Sequence, residues 1–248
     1  MLSFDWRTPV LAIQFLTRLP TPQVPDFQPA LLAAAVGWFP AVGLLIGVLL
    51  TIPVALIAPL QPWLAALVGL VVWTWITGGL HLDGLADLAD GLGAAHRDPE
   101  RFLAVVKDPH LGSFGVLALI LQCASKLILL MLVCRLGHWW LLILAPAWAR
   151  WGVFSWQTLP PLAQGMAEQF GWHRGHASWF WTGLLLAMSL LLAPTLLIAP
   201  LIVWAYRRWL QRRLGGVSGD CLGAGIEITE TALLLTSVLA ALLHGLAI

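Results

Sequence analysis

Long apolar runs at about 31–58, 63–80, 112–134, 139–157, 177–206 and 231–248 constrain this chain more than any other feature. A bilayer core asks for roughly 20 apolar residues per helix. Lipid offers no hydrogen bonds, so a spanning segment has to satisfy its own backbone, and runs of this length predict helices rather than open strands. At least six spans follow. Composition agrees, since 60% of the 248 residues are hydrophobic, only 10% are charged and the mean hydropathy is +0.87. Those figures exclude a soluble domain with an aqueous surface. The first 30 residues do not read as a cleaved signal: an acid and an arginine precede a short apolar stretch, a proline-rich loop follows, and no small-residue cleavage site is present. They predict a short interfacial or re-entrant helix.

Positive charge sets the orientation. Arg7, Arg18, Arg97, Arg101, Lys107, Arg174, Arg207, Arg208, Arg212 and Arg213 make up ten of the 13 Lys and Arg, and all lie in segments that can face one side. The positive-inside rule makes that side the cytoplasm. For residues 158–176 and 207–229 to share it, the 177–206 run has to cross twice, with a tight helical hairpin turning near Ala193 and Pro194, where proline removes a backbone donor. The expected architecture is therefore all-α: a polytopic transmembrane bundle of about seven spans, one domain over residues 1–248, with the N-terminus inside and the C-terminus outside.

The 12 acids fall, on this map, in cytoplasmic segments or at the helix ends entering them, and none in the middle of a span. A carrier of protons or sodium keeps ionisable groups near the midplane. An enzyme acting on cytoplasmic substrates gathers them at one face, although avoidance of lipid alone explains part of the pattern.

Clustering needs a further cause. In "GGLHLDGLADLADGLG", residues 78–93, Asp83, Asp87 and Asp90 are spaced i, i+4 and i+7, so a helix over 82–92 projects all three carboxylates from one face. Like charges so close need compensation, by a divalent cation or by Arg and Lys. Magnesium suits carboxylate oxygens and often completes its shell with substrate phosphates. A merely solvated acidic face is the bland alternative; against it stand a helix that opens directly from a span and the flanking Gly78, Gly79, Gly84 and Gly91, which leave room for a ligand.

Downstream, "HRDPERFLAVVKDPHLGSFG" carries Arg97, Arg101 and Lys107 with Asp98 and Asp108, then Gly112 and Gly115. Cations beside a metal-type acidic cluster are what phosphoryl transfer uses, and membrane anchoring is the competing role for the arginines. A second cluster, "RRLGGVSGDCLGAGIEITE", sets Asp220 in an expected glycine-rich loop that includes Gly219, able to wrap an anion with backbone N–H groups. Glu227 and Glu230, at the expected start of the last helix, are candidates for a second metal site or a general base, or ordinary helix-dipole complements. Lys126 and Arg150 fall inside spans, where a charge needs a partner or a polar cavity; Arg150 is a candidate phosphate contact. His173 and His176 are loop candidates for substrate contact. Cys123, Cys134 and Cys221 lack metal-ligand spacing.

"TGGLHLDGLADLADG", "KDPHLGSFGVLAL" and "RRLGGVSGDCLGAGIEITE" together resemble the cobalamin synthase family, the adenosylcobinamide-GDP ribazoletransferases of bacterial corrinoid biosynthesis, and "FLTRLP" and "GWFPAVGLLIG" fit the family's amino-terminal pattern. The resemblance runs from about residue 11 to 240; Pro109 and His110 depart from the expected small polar and basic residues. It implies a cell inner membrane enzyme whose ribose 3′-hydroxyl substrate, alpha-ribazole or its 5′-phosphate, attacks the phosphorus next to the cobinamide of adenosylcobinamide-GDP and displaces GMP. On that reading Asp83, Asp87 and Asp90, with Glu230, hold Mg2+; Arg97 and Lys107 hold non-bridging oxygens beside Asp108; and His81, Asp220, Glu227 or Glu230 accepts the hydroxyl proton. Arg150, Gly112, Gly219 and Asp220 contact substrate. Homo-oligomers and other enzymes of the pathway are possible partners, and nucleic acid is not expected. The three aspartates are also similar in outline to the CDP-alcohol phosphotransferase motif, without its Ala-Arg pair. A lipid-headgroup phosphotransferase and a secondary transporter are the competing readings.

Overall fold

The computed structural model describes residues 5–26, 28–95, 99–106, 108–162 and 176–245. In chain order the elements are α1 (Arg7–Leu16), α2 (Pro29–Ala35), a 3-10 turn (Val36–Trp38), α3 (Phe39–Ile57), α4 (Pro62–Thr77), α5 (Leu80–Ala95), α6 (Pro99–Val106), α7 (Ser113–Leu136), α8 (Trp139–Trp151), α9 (Val153–Trp156), α10 (His176–Leu192), a 3-10 segment (Pro194–Ile198), α11 (Ala199–Arg213) and α12 (Gly219–Leu243). Among the described residues the one extended pairing is an isolated bridge between Pro161 and Val217. The expected all-α class holds.

Three helical stretches are long and apolar enough to cross a bilayer: Ala30–Ile57, α7 and α12. A fourth appears if α4 and α5 count as one broken span, but they meet at 87°. The expected number was about seven. α8, α10 and α11, with 13, 17 and 15 residues, fall short of the roughly 20 that one uninterrupted helix needs. The 177–206 run does break where the prolines predict: α10 ends at Leu192, Ala193 leaves the helical region and the 3-10 segment starts at Pro194.

Two small-residue contacts set the bundle. Gly43 and Gly47 lie one turn apart on α3, and a Cβ added at either would come within 2.7 Å of α8 backbone at Ile143 or Ala147. Glycine at that spacing lets two helix backbones approach in lipid, where no hydrophobic force drives association. At the other contact α5 crosses α12: a Cβ on Gly84 would sit 2.9 Å from the Asp220 carbonyl oxygen, and one on Gly223 3.3 Å from His81 Cα.

Gly78 and Gly79, at φ 65° and 72°, end α4 and start the turn into α5. Left-handed backbone is cheap only for glycine. The turn directs α5 away from the axis of α4, at 87° to it. The expected N-terminal helix is α1, with Thr8, Leu11, Ala12 and Leu16 buried. The indole N–H of Trp38 donates to Thr8 Oγ1 at 3.1 Å and ties α1 to the start of the α3 span.

Candidate active site

α5 is helical across the predicted 82–92 stretch, and its aspartates part company in burial: Asp83 is exposed, Asp87 half-buried and Asp90 buried. Asp90 is already used. Its two carboxylate oxygens accept the backbone N–H groups of Gly112 and Gly115, each at 2.8 Å, and so satisfy the otherwise orphaned start of α7. The same bonds occupy the N–H of Gly112, which the family resemblance places in contact with substrate.

Among the described residues, Asp83 and Asp87 have no such partners. Burial, then the charges of Asp83, Asp220 and Asp90, push the Asp87 carboxyl up to about 6, and no Lys or Arg acts among those causes. The exposed Asp83 and the half-buried Asp87 thus lie close together with no ion pair to either among the described residues. Among the described residues no three His, Cys, Asp or Glu side chains converge as a complete cage.

Two openings adjoin Asp83. A groove of about 630 Å³ is lined by Gln14, Phe15, Arg18, Gly78, Gly79 and Asp83, among others. The Arg18 side chain lies against Gly78, where a Cβ would strike it, and among the described residues it forms no ion pair. A smaller chamber of about 130 Å³ shares Phe15, Leu80 and Asp83 with the groove and adds His81, Gly219 and Asp220, with Leu16, Phe39, Leu222 and Ile226 as apolar wall. Sequence reasoning counted Arg18 only as a positive-inside charge and left Phe15 unassigned; their place inside "FLTRLP" was the available signal.

Deeper in the bundle lies a second charged group. Lys126 Nζ reaches Glu227 Oε2 at 2.7 Å and Glu230 Oε2 at 2.6 Å, and the Arg150 guanidinium bonds the other Glu230 oxygen. Gln122 donates to Glu227 Oε2 at 2.7 Å and to Thr231 Oγ1 at 2.8 Å, while Lys126 also sits 4.1 Å from the Trp73 ring centroid. All four charged residues are buried. Two cations meet two anions, so the group is neutral as a whole. Arg150 Nη2 then approaches His81 Nδ1 at 3.4 Å, which links this group to the chamber.

Several expectations change accordingly. Glu230 is not among the aspartates, because its two oxygens are held by Lys126 and Arg150, and Glu227 is a buried partner of Lys126 and Gln122 through Oε2. Arg150, expected near a phosphate, is fully buried against Glu230. Asp220 is in the first turn of α12, not a loop, and Gly223 and Gly225 serve close packing against α5 and against Trp156 and Tyr206. The last helix starts at Gly219 instead of 231, so both glutamates lie well inside it, and the expectation of acid-free span centres fails. The test that disfavoured a transporter fails with it. Asp108 is exposed; His110 bonds it through backbone N–H and ring, holding its carboxyl below the usual range. Arg97, Lys107 and His173 lie outside the described residues, as does the His176 side chain.

Fold and sequence together define a membrane-type protein of packed apolar helices that carries a group of carboxylates on α5 and the start of α12. The chain belongs to the cobalamin-5-phosphate synthase family, which matches residues 8–238. Its relatives include the adenosylcobinamide-GDP ribazoletransferase of Laribacter hongkongensis, 62% identical over 94% of this chain and 97% of that one. The enzyme of the same name from Thiobacillus denitrificans is 52% identical over 96% and 97%, and that of Novosphingobium aromaticivorans 45% identical over 92% and 94%. The chain is thus an enzyme of this family, and membership overrides the transporter reading that buried charges alone would have revived. No solved structure matches it.

Proposed function

We propose that the chain transfers the cobinamide phosphate of adenosylcobinamide-GDP to alpha-ribazole or its 5′-phosphate, releasing GMP, at the cytoplasmic face of a bacterial inner membrane. The observation that carries this reading is Asp83, open to the groove, one turn from the half-buried Asp87, with no ion pair at either among the described residues, beside a chamber lined by His81 and Asp220. Asp83 and Asp87 would hold Mg2+. When bound, the ion would neutralise the pyrophosphate and the charge that develops on departing GMP.

The chain's own residues do the rest. Arg18, across the groove from Asp83, takes a non-bridging phosphate oxygen. Asp220 accepts the ribose 3′-hydroxyl proton as the oxygen attacks phosphorus and the bond to GMP breaks. His81 is not the base: Arg150 has only donors, so His81 Nδ1 accepts from it and the ring proton sits on Nε2. Completing the seven crossings requires α8 with α9, α10, and α11 each to traverse the bilayer, in line with the ten positive charges on one side.

The test is GMP release by purified protein in detergent from adenosylcobinamide-GDP, alpha-ribazole and Mg2+. Turnover by the wild type that is abolished by EDTA and by Asp83→Asn supports the reading. A folded wild type that releases no GMP rejects the substrate pair, and full activity in Asp83→Asn rejects the metal assignment.

A further inference from the structure

Arg207, Arg208, Arg212 and Arg213 fall close together at the end of α11, and they divide by direction. Arg207 is spent within the fold: its Nε donates to the Ser155 carbonyl at 3.2 Å and its Nη2 to Thr158 Oγ1 at 3.3 Å. Arg208, Arg212 and Arg213 are exposed, and among the described residues none of them forms an ion pair. With Trp204, Ala205 and Trp209 they line an open groove of about 370 Å³ that has no acid in its wall. Arg208 Cζ lies 5.8 Å from the centroid of the Trp204 ring, within cation–π reach.

Membrane anchoring accounts for arginines at a helix end. It does not account for three of them converging with two indoles on one groove. The groove also has a direction. Val203, Tyr206 and Leu210 bury the opposite side of α11 in the bundle, while the outward residues pass from Leu201 and Trp204 to Arg208 and Arg212 at helical spacing. From Leu201 to Arg208 the face turns from apolar to cationic over roughly 10 Å. A free anion uses only the cationic end of such a face. A phospholipid uses both, and guanidinium forks match the oxygens of its phosphate. We propose that this groove binds an anionic phospholipid, with the phosphate held by Arg208 and Arg212 and the acyl chains lying along Leu201 and Trp204. The site shares no lining residue with the groove and chamber at Asp83, so it stands whatever substrates the enzyme takes.

Two lipids with the same chains separate the outcomes. Dioleoylphosphatidylglycerol carries a net negative charge, and dioleoylphosphatidylcholine carries none. Native mass spectrometry of the full-length protein, delipidated in a neutral detergent and titrated with each, is expected to show the anionic lipid bound about tenfold tighter. Arg208→Gln/Arg212→Gln is expected to erase that preference. Adjacent single variants then distinguish a built site from diffuse charge: Arg208→Gln should weaken the anionic lipid about fivefold, whereas Arg207→Gln, which removes the same charge outside the groove, should weaken it less than about twofold. Thermal unfolding of each variant checks that it is folded. Equal affinity of the wild type for the two lipids, a preference unchanged in folded Arg208→Gln/Arg212→Gln, or equal losses in the two single variants overturns the proposal. Displacement of the bound lipid by millimolar inorganic phosphate overturns it as well, because the groove is then a site for a free anion.

Discussion

Two acidic groups sit within one bundle and have opposite fates. On α5, Asp83 opens to the groove and Asp87 is half-buried beside it, raised by burial and by the charges of Asp83, Asp220 and Asp90. Deeper in, Glu227 and Glu230 are buried but matched by Lys126 and Arg150. The first group is incomplete without a ligand; the second is complete without one. The contrast separates a binding site from a scaffold better than charge or burial taken singly, because a buried charge survives only when paired and an exposed one need not be.

Breaking the deep group should have the largest effect. Glu230→Ala leaves two buried cations facing one carboxylate, and the expected loss is about 3–5 kcal/mol of stability, read as a lower unfolding temperature in detergent and reduced yield. Asp83→Asn should do the opposite: a fall in GMP release of roughly 10²–10³-fold, with an unfolding temperature equal to or above the wild type, since one repelling carboxylate is gone. A stability loss in Asp83→Asn with activity retained would reverse the assignment of the two groups.

Proton dependence sharpens the same comparison. In the metal-free protein Asp87 titrates near 6, above its ordinary value of 3.8. A group raised on folding lends stability while protonated, so its contribution is present below about pH 4 and is lost as pH rises through 6. Metal-free protein should therefore unfold at lower temperature at pH 7 than at pH 5, within the folded range, and the difference should vanish in Asp87→Asn. Divalent-ion affinity should strengthen over the same rise, as measured by Mn2+ binding. The smallest effect is expected at Asp90, whose bonds to Gly112 and Gly115 act as a cap: Asp90→Ala should cost about 1 kcal/mol and leave ion binding intact, and loss of the ion would return Asp90 to the metal set.

Much of the fold was legible in the chain. The N-terminal helix, the helix that carries the three aspartates and the break at Ala193 all follow from local rules: hydrophobic period, glycine's access to positive φ, proline's missing donor. Glu227 and Glu230 were misread for a physical reason. They lie among apolar residues at a spacing that suits a helix's first turn, while the local start signal, the Ser218 side chain that accepts the Cys221 N–H, stands in a glycine-rich stretch that reads as a loop. Arg18 was underread because its significance depends on a contact with Gly78, sixty residues away in sequence.

The sequence by itself determined that this protein lives in a membrane, that it is helical, and that an acidic helix opens from one end of a span; each follows from hydrocarbon's inability to hydrogen-bond and from periodicities of a few residues. Only the tertiary structure decided which acids are free. Asp90, Glu227 and Glu230 have the same chemistry as Asp83 and Asp87, and what distinguishes them is a partner brought by another helix: the start of α7, Lys126 from its middle and Arg150 from α8. Pairing is a property of positions in space, and no local pattern encodes it.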